Sequence, residues 1–199
     1  MTGVAVIGAA ETTELGRIPN MSQQMLHADA ALNAMADAGL SAKDIDGVAT
    51  AGQSPTDLAF HLGITPNWAD GTAVGGCSFM LHVRHAVAAI ESGMCKNVLV
   101  THGESGKSRV GAGRYASAPS SFSGQFEAPF GVAGPPSMFT LPVLRYMKDC
   151  GMTHEQLAMV AVVQRQWAGM NPRASFRDPI TVDDVLNSKM IAYPFHLLE

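Results

Sequence analysis

The stretch that decides the fold runs from Thr72 to Ser105, TAVGGCSFMLHVRHAVAAIESGMCKNVLVTHGES. Two glycines, Gly75 and Gly76, precede a cysteine. A long apolar run then reads as a helix over 78–92, stopped by Gly93. After it, Lys96 to Thr101 is a short run rich in β-branched residues, the pattern of a buried parallel strand. A permissive turn, a helix and a strand in this order form the second half of a βαβ unit. The helix carries Phe79, Met80, Leu81, Val83, Ala86, Val87, Ala88, Ala89 and Ile90. It is apolar on nearly every side, which predicts a central, buried helix.

Working outward, the same alternation recurs. Val4 to Ile7, closed by Gly8, reads as a buried parallel strand. Residues 22–38 read as a helix with Ser22 as N-cap and Gly39 as its stop. Met25, Leu26, Leu32, Met35 and Ala36 fall on one side of it, with Asp29 the polar exception. A short turn over 41–46, a candidate strand at Gly47–Thr50 and a short helix from Asp57 to Leu62 follow. The pattern predicts an α/β fold, a mixed sheet with covering helices.

The pattern changes over 103–137, which holds seven glycines and four prolines and has almost no periodicity. It is too long for an ordinary connection and reads as a covering loop or a small irregular subdomain. Helical signals return over 138–149. Thr153 and Gln156 then form a capping box for a helix through about Gly169, and a shorter helix starts at Thr181. No turn cluster or charged tail marks the end at Tyr193–Glu199, so the chain reads as part of a larger fold.

Composition removes several function classes. The 199 residues carry a net charge of −4, which speaks against nucleic acid and against an anionic membrane surface. There is no apolar run long enough to span a bilayer and no export signal at the start. Three cysteines, widely spaced, suit neither a disulfide framework nor a metal site, which points to a reduced, cytoplasmic protein.

Two motif-like stretches fail on inspection. Gly8 to Thr13 lacks the G-x-G-x-x-G of a dinucleotide fold. Ser105-Gly106-Lys107-Ser108 resembles the end of a phosphate loop, but Thr101 stands where the first glycine belongs and no helix follows.

Cys77 is the candidate with chemistry. At or beside a helix N-terminus, a thiol faces unpaired N–H groups and the positive end of the helix dipole, which favours the nucleophilic thiolate. A packed structural thiol fits the same local pattern. Cys95 and Cys150 have no activating context and read as structural. His82 and His85 are not spaced i, i+4 as a metal pair would be, so packing is their default role, and no metal site is expected. His102 and His196 join no constellation, and the chain offers Cys77 no partner base.

The features VAVIGAAETTELGR, LHADAALNAMADAGLSAKDIDGV, TAVGGCSFMLHVRHAVAAIESGMCKNVLVTHGES and SKMIAYPFHLLE together resemble the N-terminal half of the thiolase superfamily. The nearest branch is that of the sterol-carrier-protein-linked thiolases and their thiolase-like relatives. The resemblance implies a five-layered α/β fold of two similar halves. In this chain, 1–103 would be the N-terminal core, 104–190 an inserted loop domain, and 191–199 a return toward the core. It implies coenzyme A thioesters as substrates, no tightly bound cofactor, a homodimer, and Cys77 as the nucleophile that takes up an acyl group. The implied activity is that of an acyl-CoA thiolase or acetyl-CoA C-acyltransferase, with the histidine base and second cysteine in the other half. The 199 residues alone are therefore expected to be inactive. One departure stands out. The family's nucleophile is followed by x-Ser-Gly, whereas this chain reads Cys77-Ser78-Phe79-Met80. That leaves two alternatives: a thiolase-like retro-aldolase that needs a zinc-ribbon/OB-fold partner, and a non-catalytic dimerising subunit.

Overall fold

A computed structural model describes residues 3–111 and 118–199. The chain divides into two compact units, Met1–Ala112 and Gly113–Glu199.

The first unit is built on a parallel three-stranded sheet in the order β2-β1-β3, with β1 at Gly47–Ala51, β2 at Trp68–Asp70 and β3 at Val98–His102. Every residue of β1 is buried, so both faces of the sheet are covered. One face packs on α1 (Gln23–Ala38) and α2 (Pro55–Leu62), where Ala28, Ala31, Val48, Leu58, Ile64 and Leu99 form the core. The small side chains Ala28 and Ala31 let α1 approach the sheet closely. The buried stripe of α1 therefore runs through Leu26, His27, Ala28, Ala31 and Met35, while Met25 and Leu32, expected on it, are exposed. Helix α3 (Ser78–Glu91) packs against β1 and β3. Strand alternation puts it on the face opposite Val48.

The helix ends follow the sequence closely. Ser22, Ser54 and Thr153 each cap with the hydroxyl, and Gly39 and Gly63 close α1 and α2 at positive φ. Two strand expectations fail in opposite directions. Trp68–Asp70, too short to register as a periodic run, pairs with β1. Val4–Ile7 is not a strand: Val6 and Ile7 are exposed, and the segment pairs with no neighbour. Strand hydrogen bonds come from an adjacent strand, and here β3 and Gly3–Ala10 both line a cleft of about 670 Å³, together with Val83 and Val87. The segment is tied to α1 instead. Ala9 N–H donates to Asp37 at 2.9 Å, Thr13 N–H donates to Asp29 at 2.6 Å, and the Asn33 amide reaches the Glu11 carbonyl at 3.0 Å. The polar exception on α1, Asp29, thus has a structural use.

The expected burial of α3 is also corrected. Only Ser78, His82, Ala86 and Ala89 are buried, and Phe79, Met80 and Val83 are exposed. Hydrophobicity on all sides predicts cover on all sides, and the first unit supplies it on one.

In the second unit, α4 (Phe122–Phe126) and α5 (Pro135–Met138) give short order to the stretch read as irregular, and α6 (Thr140–Cys150) forms where helical signals return. Helix α7 (His154–Met170) packs on α8 (Val182–Leu186) through Ala158, Val162 and Val185. Strands β4 (Met190–Ala192) and β5 (Phe195–His196) form an antiparallel pair. The capping box of α7 is complete: Gln156 N–H donates to the Thr153 hydroxyl, and Thr153 N–H donates to the Gln156 side chain at 2.9 Å. Thr153→Ala is expected to destabilise this unit by about 1 kcal/mol, read as a lowered urea midpoint at unchanged slope.

Candidate active site

The loop from Thr72 to Cys77 joins the end of β2 to α3. Gly75 takes φ 89, a conformation that side chains disfavour, and this turn delivers Cys77 to the N-cap of α3. The Cys77 side chain is exposed and makes no capping hydrogen bond. Among the described residues, its one hydrogen-bond partner is the Val74 carbonyl, 4.0 Å from Sγ. The other cysteines differ. Cys95 is buried against the Gly47 backbone, and burial, with the Asp46 carboxylate beside it, pushes its thiol up. Cys150 is exposed as the last residue of α6.

Behind Cys77 lies a polar network that sequence reading missed. Asp70, on β2, accepts at Oδ1 from the Thr72 N–H at 2.9 Å and from the Thr72 hydroxyl at 2.7 Å. Its Oδ2 accepts from His85 Nδ1 at 2.7 Å. Desolvation raises the Asp70 carboxyl, but the hydrogen bonds from Thr72 and His85 and the proximity of His82 outweigh it and hold it at about 2. His82 is fully buried, and its Nε2 donates to the Thr72 carbonyl at 2.8 Å. The i, i+3 spacing of His82 and His85, which argued against a metal pair, lets one ring bond the loop at Thr72 and the other bond Asp70 on β2. Among the described residues, no group of three or more His, Cys, Asp or Glu could hold a metal ion.

A second network ends β3. Gly103 N–H donates to His27 Nε2 at 3.1 Å, so that nitrogen is an acceptor and the ring is neutral. Nδ1–H then donates to the Thr101 hydroxyl at 2.8 Å. Burial, then the nearby His102, lowers the His27 pKa from 6.5 to about 4. His102 is half-exposed, 3.6 Å from Glu104, and is not bonded to Cys77. His196 lies in the second unit, bonded to the Ser188 carbonyl.

No protein-family model matches the chain. An acetyl-CoA acetyltransferase of Methanothermobacter thermautotrophicus is 32% identical over 209 residues, covering 100% of this chain and 54% of that protein. Among solved structures, an Ltp2–ChsH2(DUF35) aldolase superposes with a TM-score of 0.79 at 30% identity, covering 98% of this chain and 52% of that one. The chain is similar over nearly its whole length to about half of each of these larger thiolase-like proteins. A monomeric SCP2-thiolase-like protein from Mycobacterium smegmatis shares the fold with a TM-score of 0.69 at 22% identity, over 95% of this chain and 41% of that one. This thiolase-like chain spans about half the length of the curated relatives it matches. No helix among the described residues is long and apolar enough to cross a membrane.

Proposed function

We propose that Cys77 is the acyl-accepting nucleophile of an enzyme acting on coenzyme A thioesters, an acyl-CoA thiolase or acetyl-CoA C-acyltransferase. The observation that carries this reading is an exposed thiol at the N-terminus of a 14-residue helix, without a capping bond to occupy it. The thiolate attacks the thioester carbonyl, the coenzyme A thiolate leaves, and an acyl-enzyme remains on Sγ. The Gly76 and Cys77 N–H groups, engaged in no hydrogen bond among the described residues, are the donors for the developing oxyanion. The general base and proton shuttle come from the remainder of the thiolase-like fold, which this chain does not span. The chain alone therefore takes up an acyl group without turning over. The enzyme works as a homodimer.

The test is incubation with acetyl-CoA followed by peptide mass mapping. An acetyl group on the Cys77 peptide is expected. An unmodified Cys77 would overturn the reading.

A second reading has a specific observation behind it, the likeness to an aldolase at 30% identity together with the Ser78-Phe79-Met80 that follows the cysteine. In that reading the protein is a retro-aldolase subunit that binds its acyl-CoA with a zinc-ribbon/OB-fold partner. An aldehyde or ketone product formed without added coenzyme A would favour it.

A further inference from the structure

His82 is an expensive residue for its place. It is fully buried on α3, and because a carbonyl only accepts, its Nε2 must carry the proton given to Thr72. Nδ1 is then a bare acceptor, and among the described residues it has no partner. A buried, unsatisfied nitrogen costs free energy that an apolar side chain would avoid. What the ring supplies in return is one hydrogen bond to one loop carbonyl.

That carbonyl belongs to the most tightly held residue of the loop. The Thr72 N–H and hydroxyl both end on Asp70 Oδ1, and its carbonyl ends on His82. Asp70 is in turn fixed by His85. All polar groups of Thr72 are thus engaged from two elements, β2 and α3. The far end of the loop is held separately. Ser78, buried, accepts from Val74 N–H at 2.9 Å and donates to the Gly75 carbonyl at 2.6 Å. Cys77 is suspended between these two anchors.

We propose that Asp70 and His82 are positioning residues that clamp Thr72 and thereby hold the Cys77 thiol at the start of α3. This rests on the reading of Cys77 as the nucleophile. A clamp of this kind acts on the rate of the reaction at Sγ, because small displacements of a reacting atom cost large factors.

The test compares the chain with Thr72→Val, Asp70→Ala, Asp70→Asn and His82→Leu. Two rates are read by peptide mass: acetylation of Cys77 by acetyl-CoA, and alkylation of all three cysteines by iodoacetamide. Exposed Cys150 is the internal standard, and buried Cys95 reports unfolding. Thr72→Val and Asp70→Ala are expected to slow Cys77 acetylation about tenfold at saturating acetyl-CoA, with the half-saturating concentration unchanged. His82→Leu is expected to do the same. Asp70→Asn restores the rate, since its carbonyl oxygen still accepts from Thr72 and its amide can donate to His85 in the other tautomer. Unchanged acetylation in both Thr72→Val and Asp70→Ala, with Cys95 still protected, would overturn the proposal. Thr72→Val deletes one hydroxyl and keeps the shape, so it decides the matter if a larger change unfolds the chain. If the unsubstituted chain takes no acetyl group at Cys77, the nucleophile reading has failed. The clamp is then judged on alkylation alone: Cys77 slowed relative to Cys150 supports it, and an unchanged ratio overturns it.

Discussion

Cys77→Ala is expected to lower acyl transfer from acetyl-CoA to the chain about a thousandfold or more while leaving the fold intact, because removing a nucleophile removes the covalent route altogether. The side chain is exposed and, among the described residues, bound only to a neighbouring carbonyl at 4.0 Å, so little packing is lost. Stability is expected to stay within about 0.5 kcal/mol, the usual range for a surface change. Cys77→Ser is the sharper variant. It keeps size and polarity but replaces a thiol with a far less acidic hydroxyl, so it too is expected to accept no measurable acyl group. The check is acyl incorporation per cysteine by peptide mass, with urea unfolding alongside. An acyl group appearing on Cys150 at the same rate as on Cys77 would mean that exposure, and not position on α3, governs the reaction.

The second large effect concerns acid. His27 is held neutral, with one nitrogen accepting from Gly103 and the other donating to Thr101. Protonation would turn the accepting nitrogen into a donor facing a donor. Its pKa is about 4 in the folded chain and 6.5 when unrestrained. Between those values the unfolded chain binds the proton and the folded chain does not, so stability must fall as pH falls. The stabilisation is whole above pH 6.5, declines toward pH 4 and levels off below it. Across the window the loss approaches about 3 kcal/mol. Asp70, held at about 2 against 3.8, contributes stability that is present above 3.8 and lost only below it, so the two windows do not overlap. Urea unfolding of the first unit at intervals from pH 7 to pH 4 is the measurement. In His27→Gln, whose amide oxygen can still accept from Gly103, the slope is expected to disappear. An equal slope in both proteins would assign the acid sensitivity elsewhere.

These effects arise from residues that the sequence shows unequally well. Ser22, Thr153 and the glycines after the helices are local signals. A hydroxyl meets an N–H three residues on, and a left-handed turn follows a helix regardless of what surrounds it. Helix α3, strand β3 and the position of Cys77 at the helix start are legible for the same reason. The Asp70–Thr72–His82 clamp is not. Its members lie between residues 70 and 82 of the chain, yet nothing in their spacing says that strand β2 ends beside the third turn of α3. No periodicity announces a three-residue strand, and β2 exists because β1 lies next to it.

Val4–Ile7 and α3 mark the boundary most clearly. Their residues determine that both are apolar and that one of them is helical, since propensity and pattern are properties of the chain itself. Whether Val6 hydrogen-bonds to a neighbouring strand, or Phe79 is covered, depends on which other surfaces arrive. The sequence alone determined the α/β alternation, the helix ends and the one thiol worth testing. Only the tertiary structure decided that this thiol is exposed, that no base among the described residues bonds to it, and that two residues hold its loop at Thr72. The physical reason is that local signals act within a turn or two of helix, whereas pairing, burial and the polar clamp are contacts between elements.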